Sequence, residues 1–200
     1  MHKYDTIIIM GRSGSGKGTQ VELLKKNLQE HTAEQEIFSF DSGDSFREFT
    51  KKEGYSQKLI REQMNSGNLI PDIVTNWMFV NSLVEGLKED QMILLDGFPR
   101  TVDQAKTLTQ TLEYYKYKHV AVINIEVSEE EVRNRLIERG RGDDREQVIE
   151  TRLVWYRENV LPTLEYLREL DNYEVLNING EQSPKEVQSD LLRLIISENN

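Results

Sequence analysis

The stretch Gly11-Arg12-Ser13-Gly14-Ser15-Gly16-Lys17-Gly18-Thr19-Gln20 holds the residues best suited to chemistry. It follows the apolar run Ile7-Ile8-Ile9-Met10 and precedes a helical pattern with Val21, Leu24 and Leu28 on one face. Glycines let the backbone turn tightly and aim successive N–H groups at one point. The first turn of the following helix adds unpaired donors and the positive end of its dipole. Lys17 adds a mobile positive charge for outer phosphates. The combination is a phosphate cradle. The pattern G-x-x-x-x-G-K-[ST] fits from Gly11 to Lys17 and then fails, because Gly18 stands where a hydroxyl belongs and Thr19 comes one place late. That failure argues against a generic loop whose hydroxyl binds Mg²⁺ directly.

A second cluster lies further on. Met92-Ile93-Leu94-Leu95-Asp96 reads as a buried strand ending in a carboxylate. Asp96 can orient the waters of a Mg²⁺ ion, or it can simply cap a helix. In Gly97-Phe98-Pro99-Arg100-Thr101 the proline stiffens a turn that places the Arg100 guanidinium, a planar fork suited to phosphate oxygens, at the strand's end. Gln104 completes a Thr101-x-x-Gln104 capping box, or its amide reads the edge of a base; the spacing leaves both open. Seven of the thirteen arginines fall between Arg133 and Arg157, and no lysine occurs from His119 to Pro184. Repeated choice of the fork-shaped cation beside a glycine-bearing turn suggests phosphate clamping, with a solvated face paired to nearby glutamates as the alternative. Arg133 and Arg157 read instead as partners of Glu138, Glu146 and Glu150 on a solvated face.

The elements that must position these residues alternate. Strands are expected at Thr6–Met10, Glu36–Phe40, Gln91–Asp96, His119–Val127 and Tyr173–Ile178, each followed by a helical stretch. Such alternation implies an α/β fold with a five-stranded parallel sheet covered on both faces and ligands at the strands' carboxyl ends. Ser128-x-x-Glu131 and Ser183-x-x-Glu186 read as capping boxes, with Pro184 suited to a first helical position. Residues 41–70 carry two helical patterns where one would suffice, the mark of an inserted helical subdomain. Residues 139–146 form a polar turn between helices. At 200 residues the chain is expected to be a single domain. A net charge of −10 speaks against nucleic acid and anionic membranes. The absence of cysteine removes disulfides and Cys-ligated zinc. No apolar run is long enough to span a bilayer or serve as a signal peptide, so a cytoplasmic protein is expected. The histidines His2, His31 and His119 show no metal or triad spacing, and Trp77, Trp155, Tyr114, Tyr115 and Tyr117 read as packing residues.

Taken in order, Gly11–Gln20, Ser42-Gly43-Asp44-x-x-Arg47, Asp96–Thr101 with Gln104, and Arg139–Arg152 resemble the adenylate kinase family, short-lid type, over nearly the whole chain. The resemblance implies a P-loop fold over 1–200, with 41–70 as the monophosphate-binding insertion and 139–146 as a very short lid. It implies Mg²⁺-dependent, reversible phosphoryl transfer from ATP to AMP giving two ADP, by a monomer. Gly14, Ser15, Gly16, Lys17, Gly18 and Thr19 would wrap the ATP phosphates, with Arg139 and Gln182 also on the ATP side. Arg47 and Arg100 would hold the acceptor phosphate. Ser42, Asn68, Leu69, Ile70, Gly97 and Gln104 would line the acceptor, and Arg141 and Arg152 would reach both phosphate groups. Asp96 would meet Mg²⁺ through water, and the Asp143–Asp144 pair would assist lid closure. A zinc-bearing lid is absent.

Three positions depart from the family pattern. Ser42 stands where Thr is usual, Arg139 and Arg141 are only two residues apart, and Arg145 replaces the Asn usual after the paired Asp. Ser42 with Gln104 favours AMP. A kinase for UMP, CMP or dAMP, and a non-catalytic nucleotide sensor on the same fold, are the alternative readings.

Overall fold

The computed structural model of the protein describes residues 3–31, 36–141 and 144–195. Its strands are β1 (Thr6–Gly11), β2 (Ile37–Asp41), β3 (Met92–Asp96), β4 (Val120–Glu126) and β5 (Tyr173–Asn179). They lie in the order β2-β3-β1-β4-β5. Every adjacent pair is parallel, as the alternation predicts. Parallel neighbours need crossover helices. Between the strands run α1 (Lys17–His31), α2 (Ser42–Phe49), α3 (Tyr55–Ser66), α4 (Asp72–Gly86), α5 (Val102–Tyr114), α6 (Glu129–Arg139), α7 (Glu146–Trp155) and α8 (Leu161–Arg168), and α9 (Pro184–Ile195) follows the last strand. A π-helical turn, Tyr156–Val160, joins α7 to α8.

Both faces of the sheet are buried, and the period of two decides which side chain meets which layer. Ile7 and Ile9 of β1 join Val21, Leu24 and Leu191 under α1 and α9. Ile8 and Met10 point the other way, to Phe40, Phe79, Leu108 and Leu164. In that second layer Phe79 of α4 stacks on Phe98 at 4.3 Å between ring centres, and Phe40 meets both rings edge-on at 5.4 and 6.0 Å. This aromatic trio holds the turn that follows β3, and so the backbone that carries Arg100. Helices α2 and α3 pack around a small cluster, Phe46, Ile60 and Ile70, with Val74 and Met78 of α4 against it.

The helix starts refine the expected caps. Ser183 and Glu186 form the full reciprocal box. At Ser128 only half of it holds: the hydroxyl accepts from the Glu131 N–H, while the Ser128 N–H donates to Glu181 and the Glu131 carboxylate accepts from Arg135. Glu181 comes from the turn after β5, the strand beside β4, a partner that local spacing does not reveal. Arg133 pairs with Glu150 between two helices and Arg157 with Glu129, so both serve the surface, by tertiary contacts rather than the expected helical spacing. Tyr114, expected to pack, is 79% exposed.

Phe79→Ala is expected to lower stability by about 3–5 kcal/mol, read from urea unfolding. A loss under about 1 kcal/mol would contradict the anchoring of the β3 turn by this ring.

Candidate active site

The carboxyl ends of β1, β2 and β3 converge, because Ile9 and Asp41 both lie opposite Asp96 in the ladders. The loop from Gly11 to Lys17 wraps this point. Gly14 adopts φ +87°, and a Cβ there would come within 2.8 Å of Leu136 in α6. Only glycine lets the loop lie so close to that helix. The Lys17 ammonium folds back onto the carbonyls of Gly11 and Arg12, donating at 3.0 and 2.8 Å. Desolvation in the cleft, assisted by the charges of Arg100 and Arg139, lowers its pKa to about 8, against the pull of Asp96 and Asp41. Arg12 donates to the Val127 carbonyl at 2.8 Å, and its guanidinium lies 4.6 Å from the centre of the Tyr156 ring. Its side chain braces the loop and does not line the cleft.

Asp96 is buried at the end of β3. Burial raises its pKa, Asp41 and Asp44 push the same way, and Lys17 and Arg100 oppose them. A Cβ placed on Gly18 would stand 3.9 Å from its Oδ2, so this carboxylate faces the first turn of α1.

Gly97 turns the chain with φ +68°, and its carbonyl accepts from the Ser42 hydroxyl at 2.6 Å and from Arg100 Nε at 2.8 Å. A Cβ on Gly97 would sit 2.8 Å from both side chains. The Arg100 guanidinium also lies 5.4 Å from the Trp155 ring centre, a cation–π contact that leaves its outer edge for an anion. Burial lowers the Arg100 pKa, with the carboxylates of Asp96 and Asp41 opposing. Gln104 is buried. Its backbone N–H donates to the Thr101 hydroxyl, so the capping reading holds in part. Its side-chain oxygen, however, accepts from the Arg100 N–H at 2.8 Å, and its amide nitrogen donates to Asp72 at 2.8 Å.

The remaining arginines are each held by a nearby acid. Arg47 Nε donates to Asp44 at 2.9 Å. Arg139 makes a two-pronged contact with Asp144 at 2.8 and 2.7 Å, Arg152 adds a third at 3.1 Å, and the Arg141 N–H a fourth at 3.2 Å. Burial alone would raise the Asp144 pKa; the hydrogen bond and charge of Arg139, with Arg141 and Arg152, outweigh it and hold the carboxyl below its ordinary value. Asp143, expected to act with Asp144, lies outside the described residues.

A cavity of about 640 Å³ joins these groups. Gly14, Gly16, Lys17, Gly18 and Thr19 line one part of it, Ser42, Arg47, Asn68, Leu69, Ile70, Gly97 and Gln104 another, and Arg100, Arg139, Arg141, Arg152 and Asp96 also border it. Ser15 and Gln182 do not line it. Ser15 is buried inside the loop, and the Gln182 amide turns to Asn179 and Asp190. Trp155, read from sequence as packing, belongs to the site: its indole N–H donates to the Gly67 carbonyl at 2.9 Å, fixing the strand of backbone that continues into Asn68. Its position three residues after Arg152 puts both on one helix face, a signal that sequence could have carried.

A family model described as adenylate kinase matches residues 9–172. The chain belongs to the adenylate kinase family. It is similar to the adenylate kinase of Corynebacterium urealyticum, 37% identical over 186 residues that cover 93% of this chain and 96% of that protein. It is similar to adenylate kinase 1 of a Nostoc species, 34% identical over 92% of this chain and 95% of the relative. It is also 34% identical to the adenylate kinase of Encephalitozoon cuniculi, over 96% of this chain and 99% of the relative. Residues from all four of the motif blocks that resemble adenylate kinases border the one cleft.

The pH behaviour of Lys17 follows from its setting. With a pKa of about 8 it enters the cleft charged below that pH and increasingly neutral above it. A bound triphosphate favours the charged form. ATP binding at about pH 9 should therefore take up most of one proton, and binding at about pH 7 almost none. Calorimetry in two buffers of different ionisation enthalpy reads this directly; buffer-independent heats at about pH 9 would contradict it.

Proposed function

We propose that the chain transfers the terminal phosphoryl group of ATP to AMP, giving two molecules of ADP, with Mg²⁺ accompanying the nucleotide. The observation that carries this reading is that one cavity is bordered both by the phosphate loop and by a second set of cations, Arg47 and Arg100, beside the base-sized wall at 68–70.

The chemistry asks little covalent work of the protein. A phosphate oxygen of AMP attacks the γ-phosphorus of ATP; that P–O bond forms while the bond from the γ-phosphorus to the β–γ bridging oxygen breaks, and ADP departs. The attacking oxygen is already anionic, so no general base is needed. What the site must supply is charge neutralisation, alignment and exclusion of water. Lys17 would leave its two carbonyl partners for the transferred group. Arg100 would hold the acceptor phosphate on its free edge while Gly97 and Trp155 keep it aimed. Arg47 would exchange Asp44, and Arg139 and Arg152 would exchange Asp144, for phosphate oxygens. Arg141 would join them as 139–146 closes as a short lid and 41–70 closes over the acceptor, each shedding water.

The donor set fits hydrated Mg²⁺. This ion keeps most of its waters and takes one or two carboxylates plus phosphates. Asp96, a buried carboxylate facing the phosphate loop, would hold its waters, with Asp41 opposite it in the neighbouring strand. When bound the ion would neutralise charge on the phosphates. Among the described residues no group of three or more His, Cys, Asp or Glu is placed to hold a metal ion. We further propose that the chain acts as a cytoplasmic monomer on free nucleotides, without nucleic acid or membrane; its net charge of −10 supports the exclusion of nucleic acid and anionic membranes. Among the described residues no helix is long and apolar enough to cross a membrane.

The defining test is AMP-dependent ADP production from ATP in a coupled assay, with and without Mg²⁺ and with UMP, CMP and dAMP as rival acceptors. Lys17→Met and Arg100→Ala should each lower kcat/KM by at least about two orders of magnitude, about 2.7 kcal/mol. Near-normal turnover by either folded variant would contradict the assigned roles.

A further inference from the structure

The hydrogen bonds beneath the acceptor wall have only one allowed polarity, set by Asp72 at one end and the Arg100 N–H at the other. Asp72 opens α4 and does not border the cavity. Its Oδ2 accepts from the Thr101 hydroxyl at 2.9 Å and its Oδ1 from the Gln104 amide nitrogen at 2.8 Å. Thr101 has thereby committed its only hydroxyl hydrogen, so its oxygen can only accept, which it does from the Gln104 N–H at 3.1 Å. On the other side the Arg100 N–H, which can only donate, reaches the Gln104 Oε1 at 2.8 Å. A carboxylate that only accepts and a peptide N–H that only donates grip opposite ends of the same amide. Turning that amide over would set oxygen against oxygen and N–H against N–H.

From this geometry we infer that Asp72 is a positioning residue for acceptor selectivity: it locks the Gln104 amide in one orientation, so that the pocket accepts a 6-amino purine monophosphate and rejects its 6-oxo counterpart. Gln104 borders the cavity, and it retains one amide hydrogen and one further acceptor direction. Adenine offers an amino donor beside a ring-nitrogen acceptor. Hypoxanthine offers the reverse, a carbonyl acceptor beside an N–H donor. An amide free to flip serves both bases; a locked one serves only one. That the accepted base is adenine rests on the function proposed above.

The test compares kcat/KM for AMP and for IMP, with ATP as donor, in the wild-type protein and in Asp72→Asn. The substituted side chain keeps the size of the original but can present either a donor or an acceptor to Gln104. Loss of a matched hydrogen bond is worth up to roughly a factor of ten, and the Arg100 N–H still favours the original orientation, so the AMP-to-IMP ratio should fall several-fold, up to about tenfold, through the KM values of the two acceptors. The KM for ATP and the melting temperature should hold, which a merely structural role would not give. A second readout needs no variant: in the free wild-type protein the side-chain amide protons of Gln104, followed by NMR, should exchange slowly with water. AMP turnover with an unchanged ratio in Asp72→Asn, or Gln104 amide protons that exchange as fast as those of a free peptide, overturns the lock alone. A wild-type protein that phosphorylates no monophosphate overturns the proposed function, and the lock with it.

Discussion

Positive charge crowded into a cleft is the constraint around which the rest of the structure is arranged. The chain as a whole carries a net charge of −10, yet Lys17, Arg47, Arg100, Arg139, Arg141 and Arg152 border one cavity. Cations that close repel, and partial burial removes the water that would screen them. Those whose contacts define the cleft have an oxygen to lean on: backbone carbonyls for Lys17, Gly97 for Arg100, Asp44 for Arg47, Asp144 for Arg139 and Arg152. On the proposed function a phosphate, with more negative charge and more acceptor oxygens than a carbonyl or a shared carboxylate, would take the place of the partners of Lys17, Arg47, Arg139 and Arg152, while Arg100 keeps Gly97. The acidic remainder of the chain keeps this positive region local.

The parallel sheet makes such crowding tolerable by fixing the backbone beneath it. Asp41 and Asp96 end neighbouring strands in register, so carboxylates lie under the cations without a dedicated loop to place them. The Phe40, Phe79 and Phe98 rings hold the β3 turn from below, and Trp155 holds Gly67 and Arg100 from above. Apolar packing thus sets the polar geometry on which alignment of donor and acceptor phosphates depends.

The architecture is legible in the sequence because its signals are local. Five apolar runs become five strands, with ends that move by one residue at most, and the glycine spacing of the phosphate loop announces its own shape. Contacts between distant segments are not legible. Asp72 meets Thr101 and Gln104 across 29 and 32 residues of chain, and Asp72 itself reads as an ordinary first-turn acid. Glu181, from the turn after the neighbouring strand β5, takes the Ser128 N–H. Trp155 reads as a core residue because its indole is amphipathic and its partner is a backbone carbonyl, which no side-chain pattern can display. Gln104 shows the limit most plainly. Its spacing allows a cap or a base reader, and the fold gives it a capping backbone while steering its side chain into a network that only tertiary packing creates.

The central claim is that one cleft takes a donor and an acceptor nucleotide end to end. The most direct measurement is calorimetric titration with a dinucleotide in which two adenosines are joined by five phosphates, with competition by ATP and by AMP. The account predicts one molecule bound per chain, an affinity that falls as salt is raised, and exclusion of both mononucleotides by the single ligand. A stoichiometry of two, or continued binding of AMP to the loaded protein, would contradict it.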